Sequence, residues 1–336
     1  MKKKTILKVE SVYTANSFVS GGRRLVAAGS ETTGEVFLYD MESDTTERVD
    51  GCPGGVMSFV GVPGQAGLFY SIMGLFPGFN GKDAGVFMHR RTSGGWKTEK
   101  VFALPFAHRC DVLHRAGENY LFAVSVSQFK DEPSDWSRAG EIYVMKLDPD
   151  TGAPGTPELV DKGIFRNHGM LKTETDGHEH LMVSGAEGIF SLELGEDGKW
   201  RKEQLFDKEV SEFAFVDLDG DGCEELVTIE PFHGENLRIY SGASGAWTCR
   251  HEGTLAFGHG LSAGLFGGKP LVVVGNRRGL FELQRIAPVA GGGRNFCTDV
   301  LEGDAGPTQT QIFRFGGQDY ILSANQRKNE VDLYYE

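Results

Sequence analysis

Hydrophobic residues in this chain fall in short runs broken by glycine-rich or polar turns, with no long segment at helical spacing. Such runs read as strands joined by tight turns. The clearest unit is residues 211–240, SEFAFVDLDGDGCEELVTIEPFHGENLRIY. It reads as strand (213–216), acidic loop, strand (225–230), turn at Phe232–Glu235, and strand (237–240). Seven groups align under it. Their third strands start at Val36, Val86, Ile142, Ile189, Leu237, Leu280 and Val331. Apolar second strands precede them at 25–30, 68–74, 121–126, 181–186, 226–231, 271–276 and 320–325. An outer strand follows in most units, opened three times by Gly-x-Trp at Trp96, Trp200 and Trp247. These tryptophans are expected to pack between repeats.

Four strands every roughly 45–50 residues is the period of propeller blades. The seventh unit ends at Glu336 after its third strand, so its outer strand is expected from residues 5–12. Closing the ring in this way removes exposed sheet edges. The chain is therefore expected to be all-β, a seven-bladed β-propeller closed by its N-terminal strand, with residues 1–336 as one domain. Segments 73–84 and 127–140 are too long for plain hairpins and occupy equivalent points of units two and three. They predict a rim or lid on one face.

In a propeller the innermost strand of each blade starts beside the central channel. Counting back from the second strands places Asn16, Gly55, His108, His168, Glu212, His259 and Gln309 (or Gln311) at those starts. Three of the nine histidines share this position, with a glutamate between them. Neutral imidazoles converging on an axis suit Zn, Mn, Fe or Ni, and a carboxylate can complete such a site. His108, His168, His259 and Glu212 are thus candidate ligands for a divalent transition metal, Zn or Mn first. The plainer alternative is that each histidine fills the channel separately. His233, at a turn on the same face, is a candidate general acid or base. Arg277 and Arg327, on neighbouring turns of that face, are candidate ligand-binding forks.

The loop Asp217-Leu-Asp219-Gly-Asp221-Gly-Cys-Glu-Glu225 places carboxylates at its first, third, fifth and ninth positions. Glycines let such a loop curl around a hard cation, which predicts structural Ca²⁺. An EF-hand is excluded by the strand-like flanks and the lack of a glutamate at the twelfth position. No GxSxG elbow, Walker A loop or nucleotide-binding glycine motif occurs, nor a repeated Trp-Asp signature.

The net charge of −13 argues against nucleic acid and anionic membranes as partners. Met1-Lys-Lys-Lys resembles the basic start of a signal peptide, but Lys8, Glu10 and Ser11 interrupt any apolar stretch behind it. Five cysteines without paired spacing suggest reduced thiols. The expected compartment is the cytoplasm.

The string FVDLDGDGCEEL resembles the FG-GAP/VCBS class of calcium-binding propeller repeats. Together with EPFHGENLRIY and the histidines heading other blades, it also resembles the propeller domain of aldos-2-ulose dehydratase-like proteins. Those are metal-containing sugar dehydratases or isomerases. The resemblance implies a Zn-type metal at the channel and a sugar with a carbonyl beside an acidic C–H. It carries over His108, His168 and His259 as metal-site residues and His233 as acid/base. The leading expectation is a metal-dependent lyase, dehydratase or isomerase acting on a sugar or sugar acid. The alternative is a non-catalytic propeller that binds carbohydrate or a protein partner, with Ca²⁺ as a staple.

Overall fold

The computed structural model describes residues 1–76, 81–175, 177–242, 245–289 and 295–336. Seven four-stranded antiparallel sheets form the blades of a propeller. Innermost strands run Val12–Ser20, Ser58–Gly61, Ala107–Arg115, Gly169–Thr175, Glu212–Val216, Gly258–Phe266 and Pro307–Phe315, heading blades one to seven. The only helical turns among the described residues are the 3₁₀ segments Gly81–Asp83 and Gln326–Lys328.

Burial explains why the pattern was legible. A second strand is covered on both faces by adjacent blades, so it reads as an unbroken apolar run. Leu68–Met73 and Glu225–Glu230 are buried throughout. Outer strands such as Thr45–Arg48 and Thr248–Thr254 face solvent and carry polar residues. The core is divided accordingly into seven apolar clusters among the described residues, one at each blade interface. Trp200 packs edge-on against Tyr120 and Phe122 of the preceding blade at 5.3 and 4.9 Å. Trp247 likewise reaches back, donating to the Leu205 carbonyl at 2.9 Å. Trp96 meets Phe69 of its own blade edge-on at 5.1 Å and packs against the apolar cluster between blades one and two. Blades six and seven approach so closely at the axis that a Cβ on Gly260 would sit 3.0–3.2 Å from the Gln309 backbone.

The N-terminal strand closes the ring. Lys2–Lys8 pairs antiparallel with Glu330–Tyr335, so the closing strand begins and ends earlier than the 5–12 window. The third strand of blade six begins at Leu283 rather than Leu280. Phe281 adopts a left-handed backbone and Leu280 is 74% exposed, so these two residues form a turn. Closure is clamped by Lys3, whose ammonium lies 2.7, 3.2 and 3.0 Å from Glu302, Glu330 and Asp332. Removing a charged donor from a buried acceptor costs about 1–3 kcal/mol. Lys3→Met is therefore expected to lower the urea midpoint by that equivalent with an unchanged slope, and an unchanged midpoint would show the clamp to be idle.

Connections between second and third strands share one face. The segment 127–140 lies there beside the 3₁₀ turn Gly81–Asp83, with the Lys82 ammonium 5.1 Å from the Phe129 ring centre. Residues 77–80 of the other predicted insertion fall outside the described residues.

Candidate metal centre at the propeller axis

Two local devices set which side chain meets the axis. In four blades the innermost hairpin closes on two residues of positive φ: Gly21-Gly22, Ala116-Gly117, Gly267-Gly268 and Gly316-Gly317. This is the turn that matches strand twist, and it fixes register. Eight residues before each pair stand Tyr13, His108, His259 and Thr308. In the sequence His168 has the same relation to Asp176-Gly177. At the strand starts an extra residue also bulges out of the ladder, between Val12/Thr14, Ala107/Arg109, Gly258/Leu261 and Pro307/Gln309. A bulge re-aims the side chain it carries. Left-handed residues two positions earlier, Ser11, Phe106, Arg166, Phe257 and Gly306, turn the chain into this layer.

The histidines meet as expected. His108 and His168 ring centres are 4.3 Å apart, and His168 and His259 are 5.3 Å apart. His233 joins them, its Nε2 3.2 Å from that of His168, and it stacks on His259 at 4.9 Å. One ring nitrogen from each of His168, His233 and His259 lies within 4.8 Å of the others. His233 thus sits in the same cluster as the axial histidines rather than beside it. Its left-handed backbone (φ 48°) is a strained conformation held by the turn. His108 stands outside that trio and shares the Tyr13 hydroxyl with His259, at 3.3 and 3.0 Å.

Surrounding groups fix the tautomers. His259 Nδ1 donates to the Thr308 carbonyl at 2.6 Å, and His168 Nδ1 lies 2.9 Å from Glu212 Oε1. Both rings therefore turn Nε2 toward the cluster. Glu212 is in turn bonded by Arg109 at 2.7 Å. It stands one step further along its strand than the axial layer: Ser211, not Glu212, donates its N–H to Ile229 as His168 does to Ser184. Glu212 consequently braces a histidine instead of joining the trio. Burial, reinforced by neighbouring positive charge, holds His108, His233 and His259 well below the usual histidine pKa. These rings are neutral at pH 7, the state in which imidazole binds a metal. Burial would raise Glu212, but Arg109 and His168 bring it below the usual carboxylate value. Burial also pushes the Tyr13 phenol up to about 12.

An aromatic layer covers the cluster. Phe232 stacks on His233 at 4.0 Å and meets Trp136 of the long insertion at 4.9 Å. Arg277 lies over the Tyr13 ring at 5.6 Å and donates to Gln326 Oε1. Arg327 is not brought to the cluster: it pairs with Asp304 at 2.7 Å and stacks on Phe281 at 4.0 Å, at the rim of blades six and seven. Tyr13, not Asn16, is the blade-one residue that meets the axial histidines. The distance of eight residues to the Gly21-Gly22 hairpin was the signal that identifies it.

On the opposite face, one oxygen from each of Asp217, Asp219 and Asp221 lies within 4.8 Å of the others. Glu225 is engaged elsewhere, accepting from the Leu218 N–H at 2.8 Å and the Ser241 hydroxyl at 3.2 Å. It braces the loop base.

No protein-family model matches the chain, and no curated protein does. Solved structures do. A glucose dehydrogenase is similar over 100% of this chain and 99% of its own, at 14% identity and TM-score 0.51. BBS1N, solved in complex with ARL6DN, is similar over 99% and 94% at 14% identity and TM-score 0.55. A putative 6-phosphogluconolactonase from Bacteroides uniformis is similar over 90% and 87% at 11% identity and TM-score 0.56. At these identities the likeness establishes the propeller fold. No helix among the described residues is long and apolar enough to cross a membrane.

Proposed function

We propose that this chain is a metal-dependent enzyme of sugar or sugar-acid chemistry, a lyase (dehydratase) or isomerase, working at the axis. The observation that carries the reading is the convergence of ring nitrogens from His168, His233 and His259 within 4.8 Å, two of them with Nδ1 already engaged. Three converging imidazoles, two of them with hydrogen-bonded outer nitrogens, suit Zn²⁺ or Mn²⁺. When bound, such an ion polarises a carbonyl or carboxylate and acidifies the adjacent C–H. Tyr13, whose hydroxyl lies 3.3 and 3.0 Å from the Nε2 atoms of His108 and His259, is the candidate for handing a proton to a departing hydroxyl. The proton taken from the C–H returns to the phenolate to close the cycle. His233 keeps its acid/base candidacy only if it stays free of the metal. Arg277 is the candidate for orienting an anionic substrate group. Two of the similar propellers are sugar enzymes by name, in keeping with this reading. Residues 1–336 are taken as one domain in the cytoplasm, where the five unpaired cysteines stay reduced.

Elemental analysis of protein purified without chelators tests the proposal. About one Zn, Mn, Fe or Ni per chain is expected, with sugar elimination or isomerisation that is lost on chelation and restored by metal. A protein holding only Ca²⁺ sinks the enzyme reading and leaves a propeller that binds carbohydrate or a protein partner.

Calcium at Asp217, Asp219 and Asp221 completes the proposal, in line with the FG-GAP/VCBS resemblance of that loop. A ligand at a hundred times its dissociation constant stabilises the folded state by about 2.7 kcal/mol. Millimolar Ca²⁺ is expected to raise the melting temperature, and Asp219→Asn/Asp221→Asn is expected to remove that rise. An identical rise in the variant would place the ion elsewhere.

A further inference from the structure

Beneath the histidine layer the channel widens into a cavity of about 1190 Å³, open at the face of the Gly21-Gly22 hairpin. The chemistry proposed at the axis does not use it. Its floor is the Arg109–Glu212 pair, and Arg24 stands on its wall. Arg109 is buried and already gives one nitrogen to Glu212, yet its Nε–H has no hydrogen-bond partner among the described residues. An unpartnered buried donor costs about 1–3 kcal/mol unless something in the cavity accepts from it. Arg24 is a second arginine with unused donors. Its guanidinium donates to the Ser17 hydroxyl at 3.3 Å and lies over the Phe313 ring at 5.7 Å, with no carboxylate paired to it among the described residues. Burial pulls its pKa below the usual arginine value, and the nearby Glu42 carboxylate only partly opposes that shift. Lys172, the other cation on the wall, is by contrast satisfied by Glu179 and Asp111 at 3.2 and 3.8 Å. The remaining lining mixes apolar side chains with the Glu174 carboxylate and with amides and hydroxyls, including Gln311 and Ser262.

We propose that this cavity is a second small-molecule site, which takes a hydroxylated oxyanion whose anionic group pairs with Arg24 and Arg109. Guanidinium forks recognise carboxylate and phosphate alike, and the surrounding amides and hydroxyls match a polyol. The site is separate from the histidine cluster and does not depend on a metal there. It does touch that cluster through Arg109, Glu212 and His168, so an occupant is felt at the axis.

Calorimetric titration of the full chain with gluconate, glucose 6-phosphate and glucose tests the site, before and after metal chelation. Saturable binding of one equivalent of either anion is expected, at least tenfold tighter than glucose and unaffected by chelation. The preferred anion separates a carboxylate ligand from a phosphate one. Arg24→Gln is expected to weaken it tenfold or more, and Ser262→Trp, which fills the cavity and leaves both arginines in place, to abolish it. Folding of each variant is checked by its melting temperature. In the wild-type protein, the ¹⁵N-labelled Arg109 Nε–H resonance should shift on adding the anion. The proposal is overturned by an absence of saturable anion binding, by equal affinity for glucose, by binding that requires metal, or by an unmoved Arg109 resonance.

Discussion

Replacing His168 by alanine is expected to lower the affinity for Zn²⁺ by a hundredfold or more, while His108→Ala leaves it within a few fold. The difference follows from geometry. His168 belongs to the trio whose nitrogens lie within 4.8 Å of one another, whereas His108 falls outside that grouping. Structural Zn²⁺ sites with four ligands are worth about 10–16 kcal/mol, so one ligand carries roughly 3 kcal/mol, or a hundredfold. Glu212→Gln is expected to fall between them. It leaves the trio intact but replaces the carboxylate that holds His168 Nδ1 at 2.9 Å, a loss of about 10–100-fold for such a supporting partner. Competition against a chromophoric chelator measures all three affinities. If His108→Ala and His168→Ala weaken binding equally, the ion sits among all the axial histidines and the trio is the wrong grouping.

What the sequence made legible, and what it hid, divides along the range of the interactions. Blade number and strand order follow from local alternation of apolar runs and turns, and all seven sheets lie where the runs predicted. Ring closure was legible because the last unit is short of one strand. Axial register was harder, since a one-residue bulge decides whether a side chain faces the channel or a neighbouring blade. His108 and His259 were found because their strands were counted correctly. Tyr13 was missed by three positions, and Glu212 was set one layer too high. His233 could be placed on the right face but not within the histidine cluster. Only the folded turn, with its left-handed His233, brings that ring from blade five over His168 of blade four. Arg327 illustrates the converse, because nothing in its own turn reveals that Asp304 of the preceding blade will claim it.

Arg109→Met is expected to destabilise the fold by about 3 kcal/mol, the lower end of the 3–5 kcal/mol seen when one partner of a buried ion pair is removed. Both residues are 8% exposed, so the variant strands the Glu212 carboxylate in the channel floor. The lower end applies because Glu212 lines the cavity, where water can partly solvate it. The double variant Arg109→Met/Glu212→Met should regain most of the loss, since apolar replacement of a whole buried pair is commonly neutral or stabilising. Recovery of stability would not be recovery of the site. Without Glu212, His168 Nδ1 keeps only the Ser211 carbonyl at 3.3 Å, and metal affinity should drop as in Glu212→Gln. Urea melts of the two variants, each followed by the chelator competition, separate these effects. A double variant that is stable and weak for metal makes the Arg109–Glu212 pair a positioning device for His168, held at no net gain in stability. An Arg109→Met protein that melts like wild type would mean that water already carries the charge of Glu212, and the pair would then hold neither the fold nor the histidine.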